Sequence, residues 1–186
     1  MQLPLLGRYW FCGVWVFQEV VASKNISIQC GHRRISWDEF CKILLLSRRY
    51  RDRCGRGLRW DDRLGTVRDL FHARCNYQEK HGLGNFRPPW HLYVDNNKGA
   101  SCDILHNVQI GSWLLALNLR DKIYSMSEIS TGLDLSNPLV AVNYSIPYLK
   151  VYTDYAPYIL KSSNLYSLLS YVQVNKCRPF LSWVLD

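Results

Sequence analysis

Gln18 and Glu19 set an amide and a carboxylate side by side inside an apolar, aromatic run, Trp10-Phe11-Cys12-Gly13-Val14-Trp15-Val16-Phe17-Gln18-Glu19-Val20. Burying such groups costs free energy unless they are paired, so the fold must use one of them. At about 100° per residue the run places Phe11, Val14, Trp15, Val21 and Ala22 on one helical face. Gln18 falls in the middle of that face. Glu19 falls at its edge, one turn after Trp15. A carboxylate beside an indole at the margin of a core is partly desolvated, an environment in which catalytic carboxylates are found. A plainer reading stands beside this one, with Gln18 bonded to a neighbouring backbone and Glu19 solvated.

Other residues offer weaker chemistry. The net charge is +8, and nine arginines lie between Arg48 and Arg74, against only Asp52, Asp61, Asp62 and Asp69. Such a cluster suits phosphate or nucleic acid, or else a solvated loop. No aromatic-interleaved motif accompanies it, which favours the loop. The seven cysteines are irregularly spaced without a C-x-x-C, a pattern of reduced thiols in the cytosol rather than a disulfide framework. His72-x-x-Cys75 and Cys30-x-His32 each lack a second ligand pair, so no metal site is expected. No apolar run reaches the roughly 18 residues of a membrane span. Met1 to Asn25 has the outline of a secretory signal, with Arg8, an apolar stretch and Ala22-Ser23. Gln18 and Glu19 interrupt it and its basic residue follows Leu5-Leu6, so a cytoplasmic protein is expected.

With 186 residues, 48% apolar and 20% charged, the chain is long enough and apolar enough for one globular domain. Residues 8–23 read as a helix. Ile26 to Cys30 alternates and reads as a strand ending at Gly31. Ser36 with Glu39 forms a capping box before a helix carrying Phe40, Ile43 and Leu44 and running to about Arg53. Residues 54–100 read as a long loop, with a weak helix over Arg63 to Tyr77. Ile104 to Leu115 suggests a helix, continuous or broken, and Asn118 suits the cap of another over Ile123 and Met126. Leu139 to Tyr144 reads as a strand. Pro147 suits the first turn of a helix carrying Val151, Tyr155 and Ile159, which Pro157 should kink or shorten. Leu165 to Val172 reads as a final strand or short helix. Helices alternating with short strands argue for an α/β domain.

Three blocks in this order resemble the fungal heterokaryon incompatibility (HET) domain. The first is the W-F-x-x-V-W-V-x-Q-E-V run with its following strand, Gly31 and Ile35-Ser36-Trp37. The second is Leu119-Arg120-Asp121-Lys122-Ile123-Tyr124. The third is Val142-Asn143-Tyr144-Ser145 with Val151-Tyr152-Thr153 and Leu165 to Gln173, and Ser182-Trp183-Val184 resembles a segment found just after the domain. The chain departs from the pattern at Gly13, where the family has Arg, at Asn118-Leu119, where it has Asp-Pro, and at Ser125-Met126-Ser127, where it has Ala-Leu-Leu. The family's upstream Y-x-W-G-like strand and W-I-D-A-x-C-I-N-Q-like block are missing. By this resemblance the chain is an N-terminally truncated, incomplete TIR-like α/β domain over residues 1–175, with an arginine-rich variable region at 48–100 and a following segment at 176–186.

The resemblance implies non-self recognition between fused fungal cells, ending in programmed cell death, and a distant relation to TIR domains that cleave NAD. Trp15-Val16-Phe17-Gln18-Glu19 fits their W-x-x-x-E spacing. It makes Glu19 the catalytic carboxylate, holding ribose hydroxyls and stabilising an oxocarbenium-like transition state. It makes Trp15 a wall of the nucleotide pocket and Arg120 a phosphate ligand, or else a structural partner of Asp121 at a helix start. Trp10, Phe11, Gln18, Gly31, Trp37, Asp121, Lys122, Tyr124 and Tyr144 are the residues of its structural motif. NAD enters as substrate, and no cofactor is expected. Without the upstream strand the chain alone is expected to be a poor NAD hydrolase. The rival readings are a non-catalytic death-signalling adaptor that associates with itself or with other HET-type proteins, a basic nucleic-acid binder, and an inactive fragment.

Overall fold

A computed structural model describes Leu6 and residues 8–53, 63–83, 88–90, 104–112, 114–130, 133–134 and 136–162. Among these, six helices and one two-stranded antiparallel sheet make a mixed α/β structure with a helical majority. The helices are α1 (Val14–Ala22), α2 (Trp37–Arg53), α3 (Arg63–Lys80), α4 (Ile104–Ser112), α5 (Asp121–Ser127) and α6 (Tyr148–Ser162), and the strands are β1 (Ser27–Cys30) and β2 (Arg33–Ser36). The chain divides into two compact units, one of Met1–Cys12 with Glu19–Ser101 and one of Gly13–Gln18 with Cys102–Asp186. One boundary falls inside α1, in a chain whose sequence reads as a single domain over 1–175. The expected final element at 165–172 and the segment 176–186 lie outside the described residues.

In the first unit a 3-10 turn, Tyr9–Cys12, precedes α1, so the expected helix over 8–23 is two pieces separated at Gly13. β1 and β2 pair with Ser27 opposite Ser36 and Cys30 opposite Arg33. Gly31 turns the hairpin at φ 60°, a conformation that a side chain would strain. One half of the expected capping box forms, the Glu39 N–H donating to Ser36 Oγ at 3.2 Å, while the Glu39 carboxylate accepts the Ser36 hydroxyl at 3.0 Å rather than the Ser36 backbone N–H. Trp37 N–H donates to Ile26 O at 3.0 Å, which ties the start of α2 to the hairpin. Phe11 stacks on Phe40, and Trp37 and Phe40 are neighbours, over a core continued by Cys41, Leu45, Val67, Leu70 and Phe71. The weak helix expected over 63–77 is the long α3, and it supplies Val67, Leu70 and Phe71 to that core.

In the second unit, Val14 N–H donates to Leu115 O at 2.9 Å beside a parallel bridge from Gly13 to Leu115. α4 ends at Ser112, so the expected helix there does not reach Leu115. Ile123, Tyr124, Val140, Val151 and Tyr155 form the core of α5, α6 and the loop between them. The strand expected over Leu139 to Tyr144 is a series of turns instead. Asn137 organises them, its Oδ1 accepting from Leu139 N–H and its carbonyl from Val140 N–H, both at 3.0 Å. The apolar run serves to bury Val140 rather than to pair with a neighbour. Pro157 does not shorten α6, which continues to Ser162; the proline and Thr153, whose carbonyl it deprives of a helical donor, both lie on the exposed face.

Candidate functional site

α1 is apolar almost all round, so the wheel fixes its buried face poorly. Val14, Phe17 and Val21 are buried, as are Val16 and Val20, while Trp15, Glu19 and Ala22 make the exposed stripe. The expected inward position of Trp15 and the desolvated edge position of Glu19 are therefore both corrected.

Glu19 lies in the first unit, exposed, with Oε2 accepting the indole N–H of Trp10 at 3.3 Å. Trp10 packs edge-on against Phe11 at 4.9 Å and stays partly exposed, and Tyr9 beside it is almost wholly exposed. A carboxylate so placed accepts hydrogen bonds from solutes and is held by a single side-chain donor. Gly31 and Trp37 belong to the same unit and are architectural, one as the hairpin turn and the other as core.

The second unit gathers more. Asp121 opens α5, where a carboxylate favours the helix N-terminus. Its Oδ2 accepts Trp15 Nε1–H at 3.2 Å and its Oδ1 accepts Tyr144 OH at 2.7 Å. Trp15 is exposed because its indole reaches outward to this carboxylate. Tyr144 packs edge-on against Tyr124 at 5.3 Å. The Tyr124 hydroxyl donates to Asn143 O at 3.0 Å and accepts Asn143 N–H at 3.2 Å, so it pins the chain next to Tyr144. Arg120 does not pair with Asp121. Its Nε donates to Ile146 O at 2.7 Å and its Nη1 to Asn118 Oδ1 at 3.1 Å, binding the start of α5 to the start of α6. Asn118 Oδ1 also accepts Arg120 N–H at 3.1 Å, so the asparagine turns the chain into α5 from outside the helix. Lys122 Nζ donates to Ser112 O at 2.8 Å, closing the end of α4. Gln18 Nε2 donates to Glu128 Oε2 at 2.5 Å, so the amide of the opening pair is the one the fold uses, and its partner is an acid that no sequence motif marked.

Partial burial, then the hydrogen bond to Asp121 and its charge, push the Tyr144 phenol up to about 12 from an ordinary value of 10.0. The folded value lies above the unfolded one. Any stabilisation from the neutral phenol is therefore complete below pH 10.0 and is lost as the pH rises to about 12. Burial raises the Tyr155 phenol as well. In the tyrosinate absorbance of the native protein, Tyr144→Phe should therefore remove one of the late-titrating phenols, and Asp121→Asn should return that one toward the ordinary range.

The arginine-rich stretch was the other candidate. Arg74, expected in a solvated region, is buried in α3. Its Nη1 donates to Val20 O at 2.7 Å and also to Ser23 O, and its Nη2 donates to Lys24 O at 2.8 Å. Gln78, one turn on, donates to Ser23 O at 2.9 Å. The sequence signal that could have exposed this role is the spacing of Arg74 and Gln78 on one face of a helix with Leu70, Phe71 and Val67. Arg68 pairs with its neighbour Asp69 at 3.1 Å. Among the described residues no three His, Cys, Asp or Glu side chains are grouped to hold a metal, and no helix is long and apolar enough to cross a membrane. Among the described residues Cys12, Cys30, Cys41 and Cys75 are not joined in disulfides, and burial pushes the Cys41 thiol up.

No protein-family model, curated protein or solved structure matches this chain.

Proposed function

We infer that the chain is a HET-type protein of fungal non-self recognition, built on a TIR-like α/β domain, acting in the cytoplasm and ending in programmed cell death. One observation carries this reading. Trp15, Asp121 and Tyr144 come from the three separate blocks on which the family resemblance rests, and they meet at a single carboxylate. Motif residues that recur far apart in a sequence are explained when they touch. In this reading the blocks are architectural. They fix the first half of α1 to α5, and signalling runs through association with further copies or with other HET-type proteins rather than through turnover.

Cleavage of NAD by Glu19 is the second reading, and the exposure of that carboxylate with one orienting indole favours it. Measuring nicotinamide release from NAD by the purified chain, together with fungal cell death on expression, separates the two. The expected outcome is no release above a protein-free control, and cell death unchanged by Glu19→Ala. Release that Glu19→Ala abolishes, with loss of cell death, would establish the enzyme instead.

A further inference from the structure

The β1–β2 hairpin carries a pattern that the functional reading leaves unused, Arg33-Arg34-Ile35-Ser36. Arg33, Arg34 and Ser36 are exposed, and Ile35 is half-buried. In the antiparallel register Ser36 lies opposite Ser27 and Arg34 opposite Gln29, so Ser27, Arg34 and Ser36 share one face of the ribbon. Arg34 Nε donates to Ser27 Oγ at 2.8 Å. The guanidinium is thereby drawn across the ribbon to Ser27, the residue directly opposite Ser36. Ser36 itself caps α2 through its two bonds with Glu39.

A serine with arginines at the second and third positions before it presents the charge pattern read by a serine/threonine kinase whose peptide cleft is acidic. Such a cleft binds its substrate extended, and β2 is already extended. A capping serine must also leave its helix to react. The ribbon of two four-residue strands with mostly exposed side chains is marginally stable by itself and opens locally, and the opening must also loosen Trp37, which is buried next to Ser36 with its N–H bonded to Ile26 O.

We propose that Ser36 is a phosphorylation site for an arginine-directed serine/threonine protein kinase, and that Arg34 becomes the partner of the phosphoserine. In the transfer, Ser36 Oγ attacks the γ-phosphorus of ATP. The new O–P bond forms as the bond from that phosphorus to the β–γ bridging oxygen breaks. ADP leaves with the electron pair, and the hydroxyl proton passes to the kinase's catalytic carboxylate. The product carries roughly −1.5 to −2 charges and three strong acceptors at the start of α2. Asp38 and Glu39 in the first turn of α2 repel it, so the bond from Ser36 to Glu39 opens, while Arg34 on the same face attracts it. The modification exchanges an acidic partner for a basic one and re-sets the joint between hairpin and helix.

The test uses the purified full chain, ATP and the catalytic subunit of cyclic-AMP-dependent protein kinase as probe, read by intact mass and peptide mapping. One phosphoryl group on Ser36 is expected. Removing the arginines in Arg33→Gln/Arg34→Gln should lower the initial rate roughly tenfold for each charge lost. Ser36→Asp supplies another good capping side chain, so it should keep the helical circular dichroism and take up no phosphate. The proposal is overturned if Ser36 stays unmodified in the folded chain while a peptide of residues 27–42 is modified. It is equally overturned if Ser36→Asp takes up phosphate as fast as the parent.

Discussion

Replacing Arg74 by alanine should lower the unfolding free energy of the first unit by about 3 kcal/mol, because it takes this donor from the buried Val20 carbonyl and the part-buried Lys24 carbonyl, while Ser23 O keeps Gln78. The guanidinium satisfies Val20, Ser23 and Lys24, which are the last turn of α1 and the two residues beyond it. Those carbonyls form the negative end of the helix, where a cation is favourable. Burial lowers the Arg74 pKa, and Asp38 is the chief group that counters this. Lysine should recover only part of the loss, because a single ammonium cannot span three acceptors spread over a planar fork. Urea unfolding of the two variants checks the order, with alanine least stable and lysine between. Equal stability of arginine and methionine at this position would show that the side chain acts only by filling space.

Asp121→Ala should remove the acceptor of both Trp15 and Tyr144 and abolish cell death in the fungal assay. The stability cost is smaller than at Arg74, about 1–2 kcal/mol, since each bond is partly open to water. The functional effect is the larger one. Trp15 and Tyr144 are 42% and 47% exposed, so without their shared carboxylate neither is held by burial alone. Tryptophan fluorescence should shift, and the Tyr144 phenol should return toward its ordinary titration. Asp121→Asn keeps an acceptor oxygen and should retain part of the activity. Wild-type killing by Asp121→Ala would mean that the clasp is incidental to signalling.

Local features were legible because their signals are local. The helix cap at Ser36 and Glu39, the alternation of β1 and the turn at Gly31 each depend on residues within a few positions. α1 was harder. Its apolar residues surround the axis, so sequence alone placed Trp15 inside and Glu19 at a core margin, and the structure reverses the first and exposes the second. The run at 139–144 looked like a strand because it opens with four apolar residues, Leu139 to Val142, yet the side chain of Asn137 supplies turn bonds that a neighbouring strand would have supplied. Arg74 was read as solvent-facing because arginine usually is, and the carbonyls that bury it lie about fifty positions away. The resemblance did select Trp15, Asp121 and Tyr144 together. It gave no reason for their joint presence, which is a bond made across most of the chain.

That span has a consequence for the newborn protein. Trp15 and Asp121 are 106 positions apart and Gln18 and Glu128 are 110 apart. A ribosome adding roughly 5–20 residues per second delivers those partners on the order of ten seconds after α1 has emerged. During this interval Val14, Val16 and Phe17, buried in the finished fold, face water on the growing chain. The start of α1 is therefore a natural client for holding chaperones, and it is released from them when α5 has cleared the exit tunnel.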